Sequence, residues 1–203
     1  VGADIVQVVA GMGHDPRIGT TYLNAGLGFG GPCLEKDLLA LISIGDSHHY
    51  NLLFLGAVLE RNNRQISETI AKLQALLGSL QGCTVALFGL AFKAGTNDVR
   101  NSLALRLIDR LELLGARIKS HDPEAIADAL ASRPDLSCHE DPYEAVAEAD
   151  ALIVLTEWHQ FTTLDYAKIK KLMRTPYIID CRNLLEPQLL KDLGYTYIGF
   201  GRT

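Results

Sequence analysis

Long apolar runs are missing from this 203-residue chain: none reaches the roughly 20 positions needed to span a bilayer. A membrane-spanning helix is therefore not expected. A basic excess is missing too. Nineteen Lys and Arg stand against 24 Asp and Glu, a formal net charge of −5, which gives no electrostatic footprint for nucleic acid. The six histidines fall in no metal-ligand spacing, so no metal is expected. His48 and His49 are adjacent and read as surface residues on different sides of a helix. Cysteine is limited to Cys33, Cys83, Cys138 and Cys181, too far apart to suggest a disulfide framework. Reduced thiols in the cytosol follow as the expectation. The opening stretch VGADIVQVVAG has no basic leader and is too short for a signal peptide, which agrees with a cytoplasmic protein. No internal repeat or low-complexity segment is found, and the first predicted strand is followed by Gly-Leu-Ala-Phe-Lys-Ala-Gly where a dinucleotide fingerprint would have G-x-G-x-x-G.

What is present is a hydrophobic content of 48%, enough for a packed core. Residues 4–10 read as the end of a helix, followed by the loop His14-Asp15-Pro16-Arg17-Ile18-Gly19. Helical spacing resumes over 34–44. It then runs without proline from about Tyr50 to Leu77, a helix of about 40 Å that suits a spacer between domains or a subunit interface. Beyond Gly78-Ser79-Leu80-Gln81-Gly82 the pattern becomes strand–helix alternation. Strands are predicted at 84–88, 116–120, 151–155, 177–179 and 195–198, and helices at 104–114, 123–130, 142–147 and 164–173, with a short helix before the last strand. The predicted fold class is α/β. A helical segment with a long connecting helix (1–80) precedes a Rossmann-like parallel-sheet domain (81–203).

The densest chemistry lies in Asn24 to Asp37, NAGLGFGGPCLEKD. Glycines let the backbone press against a ligand with its N–H groups turned inward. Cys33 ends the glycine loop, where a helix begins. The positive end of a helix dipole favours a thiolate, Lys36 adds charge, and Asp37 sits one turn along the same face. A thiol in this setting reads as a nucleophile presented to a bound substrate. In an open α/β sheet, ligands lie beyond the carboxyl ends of the strands. The segments found there are 89–100, Asp122-Pro123, Thr156-Glu157-Trp158 and Asp180-Cys181-Arg182-Asn183. Lys93, Arg100 and Arg182 would meet phosphates there.

Gly28 to Asp37 resembles the catalytic loop G-[FY]-G-G-x-C-x-x-K-D of the nucleotide-sugar 6-dehydrogenases, the UDP-glucose/GDP-mannose dehydrogenase family. Pro32 and Glu35 depart from frequent residues at variable positions. Residues 89–102 resemble the family's G-[LF]-[AS]-F-K-x-x-T-x-D-x-R-x-S, and Thr156-Glu157-Trp158 resembles the T-E-W of members acting on UDP-glucose. Residues 180–183 resemble D-G-R-N, with Cys181 in place of a glycine that a positive φ would require. The resemblance covers essentially the whole chain. It implies a fragment of a larger enzyme, made of the later central domain and the nucleotide-sugar domain, with the NAD domain upstream.

The same resemblance implies the roles. The family oxidises the C6 hydroxymethyl of a nucleotide sugar to a carboxylate using two NAD, through a thiohemiacetal and a thioester. Cys33 would be the nucleophile and Asp37 would position the hydrolytic water. Asn24, Ala25, Gly26, Leu27, Gly28, Phe29 and Gly30 would lie along the sugar and pyrophosphate, with Phe92, Lys93 and Arg182 also on the substrate. Lys36 and Arg100 would face NAD, and Arg17 would cross to the neighbour's substrate in a homodimer built on the long helix. UDP-glucose is favoured by the T-E-W triplet; GDP-mannose and N-acetylated UDP-sugars are the alternatives. Two other readings are a non-catalytic nucleotide-sugar-binding or dimerisation module, and a Cys-dependent acyl or amide hydrolase with His14 as its base.

Overall fold

The structure, a computed structural model, describes residues 2–202. The first helix, α1 (Ile5–Gly13), starts at Asp4, whose carboxylate accepts from the Val6 and Gln7 amides. After the glycine loop, α2 (Leu34–Ser47) begins directly behind Cys33. The long helix α3 (Leu53–Leu77) has 25 residues and is closed by Gly78. It starts three residues later than the apolar pattern suggested, because Leu52 is its N-cap. His48 and His49 are exposed as expected, but they lie beyond the end of α2, with His49 at a φ of 55°, and not on a helix.

The remaining elements alternate: β1 (Thr84–Phe88), α4 (Leu103–Leu113), β2 (Arg117–His121), α5 (Ile126–Ser132), α6 (Pro142–Val146), β3 (Ala151–Val154), α7 (His159–Thr162), α8 (Tyr166–Leu172), β4 (Tyr177–Asp180), α9 (Pro187–Asp192) and β5 (Thr196–Gly199). The strands form one parallel sheet in the order β2-β1-β3-β4-β5. The expected α/β class with a Rossmann-like parallel sheet is what the chain adopts.

The period of two along each strand sorts the core into two layers. Val85, Leu87, Ala151, Ile153 and Ile179 meet Leu107, Ile108 and Leu111 of α4 and Ile66 and Leu73 of α3. Ala86, Phe88, Leu152, Val154 and Ile178 meet Val146, Phe161, Ile169 and Leu190 from α6 to α9. The second half of α3 is thus a covering helix of the sheet, a use the sequence pattern did not suggest. Its buried residues, Asn62, Ile66, Thr69 and Leu73, step by four, three and four along one face. The first half of α3 is different: Leu53 and Phe54 are 74% and 79% exposed. No helix among the described residues is long and apolar enough to cross a membrane.

Candidate active site

The glycine loop is clamped between the long helix and the strand ends. Asn62 holds Phe29 from both sides: its Oδ1 accepts from the Phe29 amide at 2.8 Å, and its Nδ2 donates to the Phe29 carbonyl at 2.9 Å. One turn on, Gln65 Nε2 donates to the Gly26 carbonyl at 2.7 Å. The Leu27 amide donates to the Cys181 carbonyl, just past β4, at 3.0 Å. The Gly31 amide donates to the Asn101 carbonyl at 3.1 Å, and Asn101 Nδ2 returns a bond to the Gly31 carbonyl at 3.2 Å. Glycine is required by this packing at several loop positions, Gly26 and Gly31 among them. A Cβ on Gly26 would collide with the Cys181 carbonyl. Gly31 has a φ of 86°, and a Cβ there would lie 2.7 Å from the Phe92 ring. Phe92 therefore seats directly on the loop.

The strand order places the topological switch between β1 and β3, the crevice where such sheets take ligands. Lys93 follows β1 and is exposed, with its Nζ 5.6 Å from the centre of the Phe92 ring. Arg182 follows β4 and joins three segments. Its Nε donates to the Leu155 carbonyl at 2.8 Å, its Nη1 donates to the Gly28 carbonyl at 3.2 Å, and it pairs with Glu157 at 3.3 Å. A cleft of about 130 Å³ brings Asn24 and Ala25 beside Arg182 and Asn183. A larger one, about 460 Å³, opens near β5 between Lys72, Lys191 and Arg202 and takes in none of the residues singled out from the sequence. Behind Arg182, Asp180 is fully buried and accepts from the amides of Arg182 and Leu185 and from the Tyr197 hydroxyl. Burial outweighs these bonds and raises its carboxyl above the ordinary range. Cys181 keeps a negative φ, so the substituted glycine is not needed for this backbone; burial pushes its thiol up to about 12.

At the far end of the loop, Cys33 is exposed and caps α2; the Asp37 amide donates to the Cys33 carbonyl at 2.9 Å, closing the first helical turn. Lys36 and Asp37 are exposed and 3.3 Å apart. Arg100 lies next to Asn101, which is bonded to Gly31 near the same end of the loop. Its guanidinium is held above its ordinary value by hydrogen bonds and charge from Asp98, with Cys33 adding a smaller share. The structure thus gathers Cys33, Lys36, Asp37 and Arg100 at one end of the loop, and Phe92, Lys93 and Arg182 along it. Arg17 stands apart, exposed and paired with Asp15 at 2.6 Å. His14, the base needed by a hydrolase, bonds to the Ala10 carbonyl at 2.7 Å, and none of its described contacts reaches Cys33. Among the described residues no three His, Cys, Asp or Glu side chains are grouped to hold a metal ion.

Asn62, Gln65 and Asn101, which hold the loop, were not singled out from the sequence. Asn62 left a trace there. It falls three residues after Leu59 and four before Ile66, on the apolar stripe itself, and a polar residue on a buried stripe needs a partner.

Residues 1–64 match the central domain of the UDP-glucose/GDP-mannose dehydrogenase family, and residues 86–187 match its UDP binding domain. The chain is 45% identical over 210 residues to UDP-glucose 6-dehydrogenase of Pseudomonas aeruginosa, covering 99% of this chain and 46% of that protein. It is 41% identical over 203 residues to UDP-glucose 6-dehydrogenase TuaD of Bacillus subtilis, covering 100% and 44%. Among solved structures, a UDP-glucose dehydrogenase from Pyrobaculum islandicum superposes with a TM-score of 0.88 at 34% identity, covering 100% of this chain and 44% of that one. The chain therefore spans just under half the length of these relatives.

Proposed function

The chain belongs to the UDP-glucose/GDP-mannose dehydrogenase family, and on that premise we propose that it forms the nucleophile and nucleotide-sugar half of an enzyme oxidising UDP-glucose to UDP-glucuronate. The observation that carries this reading is the exposed Cys33 at the end of a glycine loop whose other end is fastened to the ligand-binding edge of a parallel sheet. Residues 1–80 supply the loop and thiol, and residues 81–203 the nucleotide-sugar crevice. The backbone from Asn24 to Gly30 lies along the sugar and pyrophosphate. Phe92, Lys93 and Arg182 border the same crevice, and the two cations offset phosphate charge.

NAD, when bound, accepts hydride from carbon 6 of the sugar in each of two oxidations. Lys36 and Arg100 would hold one edge of its site: both are exposed cations near the Cys33 end of the loop, paired with Asp37 and Asp98, and suited to a diphosphate. The chemistry that this chain contributes is that of sulfur. The Cys33 thiolate adds to the aldehyde carbon; a C–S bond forms and the carbonyl oxygen takes a proton, giving a thiohemiacetal. Its oxidised form is a thioester. Water held by Asp37 attacks that carbon, the C–S bond breaks with the electron pair returning to sulfur, and the carboxylate is released.

The protein is proposed to be a cytoplasmic homodimer. Its free cysteines suit a reducing compartment. Val6, Met12, Leu39, Ile44, Leu53 and Phe54 of α1, α2 and α3 are each exposed, and a second copy meeting the first turns of α3 would cover the last two. Arg17, free of the chain's own crevice, is then available to the neighbour's. In the full-length protein, Cys33→Ser should abolish uronate formation while UDP-glucose still binds by calorimetry. Unchanged turnover would remove the nucleophile assignment.

A further inference from the structure

The loop after the first strand of a nucleotide-binding parallel sheet commonly turns its free N–H groups toward a phosphate. Here the same N–H groups are already taken. Asp122, the first residue after β2, is 1% exposed. Its Oδ2 accepts from the amides of Leu90 and Ala91 at 2.7 and 3.1 Å, and from the Trp158 indole at 3.3 Å. Its Oδ1 accepts from the amides of Glu124 and Ala125 at 2.9 and 2.8 Å. One carboxylate thus gathers donors from the ends of β1, β2 and β3, with Trp158, 5% exposed, closing it off.

We propose that Asp122 is an internal anion that stands where other sheets hold a ligand's phosphate. It makes this position unavailable to a nucleotide, which must lie on the β1–β3–β4 side against the glycine loop. It also acts as a positioning residue, because Leu90 and Ala91 lead directly into Phe92 and Lys93. This second part rests on the reading that those two side chains border the nucleotide sugar. The Asp122 bonds fix the loop by its backbone, so its loss should be felt at the sugar site before it is felt in the chemistry at Cys33.

The test uses the full-length protein with Asp122→Ala, Asp122→Asn and Trp158→Phe. Asp122→Ala should raise KM for UDP-glucose about tenfold, in line with the loss of charge-assisted hydrogen bonds, with kcat and KM for NAD nearly unchanged. Millimolar formate should refill the vacated position, lowering KM and raising Tm in Asp122→Ala. It should do nothing in the wild type or in Asp122→Asn, whose amide fills the space while turning a donor toward donors. An unchanged KM, a joint shift of kcat and both KM values, or equal rescue by neutral formamide would overturn the proposal. If Asp122→Ala does not fold, Trp158→Phe decides: a KM rise of about twofold supports it and an unchanged KM overturns it. The Tm response to formate needs no substrate. It therefore holds or fails separately from the UDP-glucose reading, which fails if the wild type yields no NADH from that sugar.

Discussion

Residues 5–54 and residues 84–200 both carry abundant apolar side chains but place them oppositely. In the first stretch α1 buries none of its residues and α2 only Gly45, and Met12, Leu39, Ile44 and Phe54 are all exposed. In the second, every residue of β1 and β3 is buried. The glycine loop lies on the border, and its fastenings all point one way: toward Asn62 and Gln65 on the inner half of α3, and toward Asn101 and Cys181 at the sheet. The loop that presents Cys33 is therefore held by the well-packed region and not by the open one. Apolar periodicity reports that a helix has a face to cover, but not which surface covers it.

The comparison is broken most directly at Gly26. A Cβ there meets the Cys181 carbonyl, and a backbone carbonyl in a loop tied to β4 cannot turn aside as a side chain can. Gly26→Ala should cost about 1–3 kcal/mol, the usual cost of overpacking. It should also weaken UDP-glucose binding, because the bond from the Leu27 amide to Cys181 must lengthen. Denaturant unfolding and calorimetry check both. If stability is untouched, the loop is not clamped as described.

Much of the sheet was legible in the sequence because its strands are buried on both faces, and such strands read as unbroken apolar runs: TVALF for β1 and ALIV for β3. The start of α2 at Cys33 was legible from the change of glycine and proline into a helical pattern. Features made by distant bonds were not. The Asp122 carboxylate takes the Leu90 and Ala91 amides from over 30 residues away, and with its other oxygen it draws the Glu124 and Ala125 amides into a turn, so α5 begins three residues after Pro123. α7, four residues long, is too short to show any period. The inner half of α3 was read as spacer or interface because nothing local to that helix tells of the sheet beneath it. The resemblance supplied roles for Cys33, Lys93 and Arg182; the hydrogen bonds by which Asn62, Asn101 and Asp122 hold the backbone under them join segments far apart in sequence, so the partners of these residues emerge only when those segments meet.

A smaller effect sharpens the description of the buried side. Asp180 is the buried carboxylate under the Arg182 loop, and burial raises its pKa in the folded state. The sign follows: the fold favours the protonated form. The stability linked to this group is fully present below the ordinary carboxylate range and is lost as pH rises through the raised folded value. Asp15, Asp98 and Asp135 are lowered by their hydrogen bonds to Arg17, Arg100 and Arg133 and act in the opposite direction; Arg17, Arg100 and Asp135 are exposed, so solvent screening makes each pair weak. Asp180→Asn removes only the first contribution. From neutral pH down to the ordinary carboxylate range, wild-type stability should gain relative to that of the variant. Parallel stability curves over this window would show that Asp180 is solvated in the folded protein.

The smallest effect probes the open side, at Gly56. It lies in the outer half of α3, and a Cβ there meets nothing within 4 Å. Helical glycine costs backbone entropy that alanine does not, so Gly56→Ala should stabilise the dilute chain by about 0.5–1 kcal/mol. This is the reverse of the expectation at Gly26, although the two substitutions are chemically the same. The sign also reports on the proposed dimer. A partner that covers the first turns of α3 closely would leave no room for the added methyl, so the gain would fade or reverse as protein concentration rises. A gain that is constant from nanomolar to tens of micromolar protein, with the chain monomeric by light scattering throughout, would place the dimer contact elsewhere. A loss at every concentration would mean that this face is packed within a single copy, and the contrast between the two halves of α3 would fall.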